Sequence, residues 1–407
     1  MKKWFRRLGP GLLYAGAAVG VSHLVQSTRA GASYGLVMVA VVVLANFLKY
    51  PFFKAGPLYA VHSGKSLLEA FFQKGKWAIT LFYIVTLTTM FAVQAVVTLI
   101  LASVLASILG INLALWQLSA ILLLICGAIL LIGKYHLLEN IMRWVILLLT
   151  LTTIITLITA IGSPDLKIDF ATSFSFNEIT DVFFLIALVG WMPAPLDIAL
   201  WHSEWTLADI KDSNERVSPK AVNYDFNVGY WGTTFLAAAF VTLGAIVLGN
   251  SDAELSSSGS VFAGQIIGMY TETLGKWTFV IVGLAAFTTM FSTTLTVLDA
   301  YPRVLKKAAI LHHKPWGNNS KLYPILLAFT ILGALFVLIF QLENMKQLVD
   351  FATTISFLTA PILASLIYAV CKPMGDKVFD KKDNWIAILG LLFLYAFSIY
   401  YLWTKYF

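Results

Sequence analysis

Long apolar runs alternate with short polar stretches along all 407 residues, and eleven of the runs reach the length that a bilayer demands. An α-helix needs about 20 predominantly apolar residues to cross the hydrocarbon core. Such runs lie near 10–33, 35–57, 78–109, 113–133, 139–163, 179–201, 226–249, 277–299, 322–341, 347–371 and 384–404. The pattern predicts an all-α membrane protein of about eleven transmembrane helices. The run at 78–109 is long enough to tilt or to project from the membrane. Met1 to Arg7 with the apolar run behind them resemble a secretory signal, and Ala15-Gly16-Ala17 imitates a cleavage site. Ten further spans favour a retained first helix instead.

Two spans are interrupted where lipid tolerates few polar groups. The first holds Gly16, Gly20, Ser22 and His23, then Gln26-Ser27-Thr28-Arg29. The sixth holds Gly190-Trp191-Met192-Pro193-Ala194-Pro195-Leu196-Asp197. Proline removes a backbone donor and clashes with the preceding turn, so this segment is expected to unwind. Freed backbone groups survive in a membrane only where they line a protein cavity or bind something. Two breaks at matching places predict inverted repeats of five helices each, with a substrate site at the breaks. The expected division is residues 1–163, residues 164–371 and an additional C-terminal helix in 372–407. Kinking for packing alone is the competing explanation.

Composition and charge agree with the spans. Hydrophobic residues make up 59% of the chain and charged ones 12%, with a mean hydropathy of +0.81, which calls for lipid as solvent. The net charge of +7 does not indicate nucleic acid, because the basic residues sit in short loops between apolar spans. With the N-terminus in the cytoplasm, only Arg29, Lys167, Lys276, Lys346 and Lys405 fall on the outer side, and the C-terminus lies outside. The expected location is the plasma (inner) membrane. The longest inner loops, near 203–224 and 301–321, are too short for a catalytic domain. Gly64-Lys65-Ser66 lacks the rest of a phosphate loop, and no zinc-protease, nucleophile-elbow or dinucleotide motif occurs, so no enzyme and no cofactor are expected. Cys126 and Cys371 form neither a disulfide framework nor a metal-type spacing.

Several landmarks carry a family likeness: Gly9-Pro10, Ala30-Gly31-Ala32-Ser33-Tyr34-Gly35, Leu44-Ala45-Asn46, Ser63-Gly64-Lys65-Ser66-Leu67-Leu68-Glu69, Leu137-Leu138-Glu139 and His202-Ser203. In order and spacing they resemble the NRAMP divalent-metal transporters, from residue 9 to about 300. The resemblance implies a LeuT-type fold with helices 1 and 6 broken, and metal ligands at the breaks. The family's Asp-Pro-Gly-Asn in helix 1 is matched here by Gly20-Val21-Ser22-His23, so the carboxylate is gone. The family's Met of helix 6 is matched by Met192 or, aligned on Pro195, by Ala194. Its acidic pair in helix 3 is matched by Ile100 and Ser103, and its helix-8 Gln by Phe291.

Three readings follow from these departures. In the first, favoured narrowly, the chain is a secondary transporter that takes up a small inorganic anion such as bicarbonate. Gly20, Val21, Ser22, His23, Met192, Ala194 and Asp197 then form the substrate site, since half-helix N-termini suit anions. A coupling ion, Na⁺ (or H⁺), accompanies it. Thr293 and Thr294 with the unwound carbonyls near Ala18 are the sodium candidates, against a simple interhelical role for those threonines. In the second reading, His23, Met192 and Asp197 make a softer divalent-metal site. Against it, Asp197 suits an N-cap and Met192 suits packing. In the third, the chain is a membrane sensor that transports nothing. Arg29 is expected to pair with an acid or reach the outer surface, and Asp299 with Arg303 to act at an interface or gate.

Overall fold

The computed structural model describes residues 9–133, 135–162, 173–213, 217–249, 255–340 and 344–406, with side chains left out over 135–146 and at a few segment ends. Met1 to Arg7 and the side chains of Leu137-Leu138-Glu139 therefore lie outside the described residues. Among the described residues the chain is all-helical, with fifteen α-helices. In chain order they are α1 (Pro10–Ala18), α2 (Thr28–Tyr34), α3 (Val37–Ser63), α4 (Leu67–Lys74), α5 (Lys76–Leu109), α6 (Leu115–Ile132), α7 (Tyr135–Ile161) and α8 (Ile179–Gly190). The rest are α9 (Ile198–Ser213), α10 (Pro219–Leu243), α11 (Gly259–Leu274), α12 (Thr278–His312), α13 (Leu322–Phe340), α14 (Met345–Cys371) and α15 (Lys381–Tyr406).

Eight described helices are long and apolar enough to cross a bilayer. The other three expected spans are the two interrupted ones and α7. Where the apolar run at 10–33 predicts one span, the structure has α1, a wide π-helical turn over Ser22–Ser27, and α2. Where the run at 179–201 predicts one span, α8 stops at Gly190 and α9 starts at Ile198. Three expectations change, the first being the stretch 203–224, expected as a loop, which is helical over 203–213 and 219–224. The stretch 301–321, expected as a loop, is helical to His312, because α12 continues with its last turns carrying Arg303, Lys306 and Lys307. Two short helices, α4 and α11, pass unnoticed in the hydropathy pattern because polar residues such as Gln73, Gln265 and Glu272 interrupt their apolar faces.

The membrane-facing and core-facing sides separate cleanly. Exposed large apolar residues such as Leu332, Phe336 and Phe340 on α13 face outward, as helices in lipid require. Helix α5 is the central pillar, buried along most of its length and packed against α11, α12, α13 and α14. Around it, α1 is fixed to α10 by the Gly11 N–H, which donates to Asp225 Oδ2 at 2.6 Å. Short α4 is fixed by a capping box: Ser66 Oγ accepts from the Glu69 N–H, and the Glu69 carboxylate accepts from the Ser66 N–H at 2.8 Å.

Glu69 also receives Lys307 Nζ at 3.1 Å, which ties α4 to the end of α12. Burial raises the Glu69 carboxyl, but the Ser66 N–H and Lys307 outweigh it and hold the group below its usual value of 4.5. A carboxylate lowered in this way stabilises the fold above its unfolded value, and the contribution fades as pH falls through the lowered value. Glu69→Gln is expected to cost about 1 kcal/mol at neutral pH, and the deficit relative to wild type should shrink in acid, once Glu69 of the wild type is protonated. Unfolding titrations of the purified protein at neutral and acidic pH check this.

Candidate functional site

The first break begins where α1 ends at Ala18. Val19 leaves the helix in an extended conformation (φ −75°, ψ 95°), so the carbonyls of Gly16 and Val19 lose their helical partners. Both turn to Thr293 on α12, whose hydroxyl lies 3.2 Å from Gly16 O, 3.2 Å from Val19 O and 3.1 Å from Thr289 O. Gly20 makes this approach possible, because a Cβ there would stand 3.0 Å from Thr293 Oγ1 and Cγ2. Three carbonyl oxygens thus surround one buried hydroxyl, without a carboxylate.

The second break follows Gly190. A cis Met192–Pro193 bond and Pro195 keep the backbone out of a helix until Asp197, whose carbonyl accepts from the Leu200 N–H at 3.0 Å to start α9. Asp197 therefore occupies the N-cap position, and it is buried there. The two breaks touch: Ser22 Oγ is 3.3 Å from Pro193 O, and Ser27 Oγ is 3.9 Å from Met192 Sδ. Next to them Lys49 of α3 is fully buried. Its Nζ donates to Val189 O at 2.5 Å and Gly190 O at 3.2 Å, the last carbonyls of α8.

Between the breaks lies a cavity of about 20 Å³, walled by Ala18, Gly20, Val21, Ser22, Trp191 and Trp201 among others. It has room for about one water-sized group. Trp191 is buried, and its Nε1–H has no hydrogen-bond partner among the described residues. Trp201 also lines a much larger vestibule of about 1060 Å³ that opens beside Glu204, Asp299, Arg303 and Lys307. Its indole stands edge-on to the Tyr301 ring at 5.0 Å. Asp299 joins this vestibule wall, bonded to Arg303 and accepting from Tyr323 Oη at 2.5 Å. Beyond the first break, on the side away from the vestibule, Arg29 of α2 grips Asp350 of α14 at 2.7 and 3.0 Å, with Gln26 in the same cluster.

The structure brings some of the sequence candidates together and separates others. Ala18, Gly20, Val21, Ser22 and Thr293 share the cavity wall. The carbonyls that meet Thr293 are those of Gly16 and Val19, while Ala18 O accepts from Ser22 Oγ at 2.9 Å. Thr294 turns the other way, to Val97 O of α5 at 3.3 Å, since neighbours on a helix point about 100° apart. His23 faces α10: its Nε2 donates to Thr233 O at 3.0 Å and its Nδ1 meets Ser22 Oγ at 2.8 Å. Met192, Ala194 and Asp197 are buried but stand outside the cavity wall. Among the described residues no group of three or more His, Cys, Asp or Glu side chains is placed to hold a metal. Lys49, Trp191, Trp201 and Asp350 join the picture unforeseen. A lysine inside an apolar span is the one signal that pointed to any of them.

Comparison with known proteins gives a consistent relationship. The family model for natural resistance-associated macrophage protein-like (Nramp) proteins matches residues 11–404. An uncharacterised protein of Pasteurella multocida (strain Pm70) is 33% identical over 402 residues, covering 98% of this chain and 92% of its own. Among solved structures, the manganese transporter of Eremococcus coleocola superposes with a TM-score of 0.67 at 13% identity, covering 98% of this chain and 86% of that one. MhsT in complex with L-phenylalanine superposes with a TM-score of 0.57 at 16% identity, covering 96% and 98%. Mhp1, a nucleobase-cation-symport-1 family transporter, gives 0.58 at 11% identity, covering 90% and 77%.

The oxygen cluster around Thr293 makes a sharp prediction about its neighbour. If the cluster holds the Na⁺ expected from the sequence, Thr293→Ala should weaken its binding by about tenfold or more, because the hydroxyl oxygen is lost. Thr294→Ala should leave it unchanged. Binding of ²²Na⁺ to the purified protein measures both, and equal losses in the two variants would contradict the assignment.

Proposed function

This chain belongs to the Nramp family and is a multi-pass membrane transporter of LeuT-type fold, and from that premise we propose that it carries a small inorganic anion, bicarbonate being the example, coupled to Na⁺. The observation that carries the anion is Trp191. A buried N–H without a partner is costly, and Trp191 is one of the residues that line the cavity, so an acceptor on a bound substrate would relieve that cost. An oxyanion supplies acceptors once the cavity widens beyond its one-water volume, and Ser22 in the same wall is a second hydrogen-bonding group. The observation that carries the cation is the oxygen cluster of Gly16, Val19, Thr289 and Thr293. Neutral carbonyl and hydroxyl oxygens at an unwound helix suit Na⁺, and a proton would have no basic group there to ride on.

Alternating access follows from the two ends of the cavity. Eleven spans in two inverted repeats, residues 1–163 and 164–371, with a further helix in 372–407, would rock about the breaks. The Arg29–Asp350 pair ties α2 to α14 on one side, while the vestibule opens on the side of Arg303, Lys306 and Lys307. The excess of Lys and Arg supports a cytoplasmic assignment for that side, and in that orientation, in the plasma (inner) membrane, the state would be open inward with Trp201 at the cavity floor. In this reading Arg29 serves the outer closure and does not bind substrate.

A second reading, transport of a divalent metal, rests on the fold shared with the manganese transporter of Eremococcus coleocola. It requires His23, Met192 and Asp197 to converge. His23 would have to give up Ser22 or Thr233, and hard divalent ions favour several oxygen ligands including carboxylates. A non-transporting sensor is the third reading. Proteoliposomes separate them: ¹⁴C-bicarbonate uptake should require an inward Na⁺ gradient, and Trp191→Phe should lower its apparent affinity by about tenfold. Uptake of Mn²⁺ without bicarbonate uptake would replace this reading with the second, and flux of neither would favour the sensor.

A further inference from the structure

We propose that Lys49 is a specificity-determining residue, a cation built into the second break that makes the central cavity accept negative charge and reject divalent metal. The inference deepens the anion reading above and rests on it for the identity of the substrate. It starts from a placement that packing alone does not explain. Lys49 sits mid-way along α3, is 1% exposed, and spends its ammonium on two backbone carbonyls, Val189 O and Gly190 O. Those carbonyls end α8, where the helix dipole concentrates partial negative charge, and Val189 O also accepts from the Met192 N–H at 3.2 Å. Left alone, such an end would attract a mobile cation; the ammonium fills that role permanently.

The geometry transmits this charge to the cavity. Gly190 is followed directly by Trp191, whose indole lines the cavity and carries the N–H without a partner. Gly190 cannot drift, because a Cβ there would lie 2.2 Å from Thr353 O of α14, so the backbone is pressed against a neighbouring helix. The nearest acid to the break is Asp197, buried between Pro195 and Ile198, both of which line the cavity. The two ends of the second break thus carry opposite groups, the Lys49 ammonium at the end of α8 and the Asp197 carboxylate at the start of α9. With Na⁺ at the Thr293 cluster the site then holds one net positive charge, which a monovalent anion neutralises and a divalent cation would triple. Unbalanced charge in a low-dielectric interior is expensive, so this count decides which substrate enters.

Removing the ammonium should therefore leave Asp197 as the dominant charge and turn the preference round. Equilibrium binding of bicarbonate and of Mn²⁺ to the purified full chain in Na⁺ buffer tests this for wild type, Lys49→Met and Lys49→Arg. In Lys49→Met, bicarbonate affinity should fall and Mn²⁺ affinity should rise, each by about tenfold. Lys49→Arg keeps the charge and should keep the wild-type ratio within about threefold. The ratio separates selection from folding, since a merely loosened helix end would weaken both ions together. ²²Na⁺ binding, retained in both variants, reports that the first break is intact. An unchanged ratio in Lys49→Met, or the same change in Lys49→Arg, overturns the proposal. Wild type that binds no bicarbonate would contradict the anion reading, and the Mn²⁺ comparison would still decide the role of Lys49.

Discussion

A backbone opened inside a bilayer has no water to satisfy it, and the centre of this protein is organised around that constraint. Val19 and Gly20 open the first break, and Met192 to Leu196 open the second. The contacts that define the site gather where the backbone is opened. Thr293 meets the carbonyls of Gly16 and Val19, Lys49 meets those of Val189 and Gly190, and Ser22 reaches Pro193 across the gap. The first pair is answered by a neutral hydroxyl and the second by a fixed ammonium. The two breaks are related in architecture and opposite in electrostatic design, one suited to a mobile cation and one already carrying its own.

The same constraint bears on the departure from the Nramp pattern. A chain that replaces the helix-1 carboxylate with Gly20 gains a close approach to α12, and with it the oxygen cluster. His23, standing where the resemblance places a metal-binding Asn, instead anchors the first break to α10 through Thr233. Met192 packs beside Ser27 at the junction. His23 and Met192, expected as ligands, thus brace the breaks, and among the described residues the cavity-lining side chain left with an unpartnered polar group is Trp191, a donor.

Much of this was legible in the sequence because its causes are local. Pro193 and Pro195, one residue apart, oppose a continuous helix, and Gly16 and Gly20 mark the other break, so both interruptions could be read directly. The pairing of Arg29 with an acid followed from the cost of a bare charge at that depth. What escaped depends on direction and on contacts distant in sequence. Thr293 and Thr294 differ only by a helical rotation, which composition does not reveal. Gly16 and Val19, rather than Ala18, present carbonyls because of where α1 lets go. Lys49 looked like one more basic residue until its partners, far along the chain on α8, were known. Helix α11 is too polar to register as a span, though Phe262 and Tyr270 bury it against the core.

The central claim is that the two breaks hold a monovalent cation and an anion, in place of a divalent metal. Anomalous diffraction from crystals grown with Tl⁺ in place of Na⁺, and separately with Mn²⁺, tests it most directly. The account predicts a Tl⁺ peak among the oxygens of Gly16, Val19, Thr289 and Thr293, and no Mn²⁺ peak at the breaks. A Mn²⁺ peak beside His23, Met192 or Asp197, with no Tl⁺ at Thr293, would contradict it.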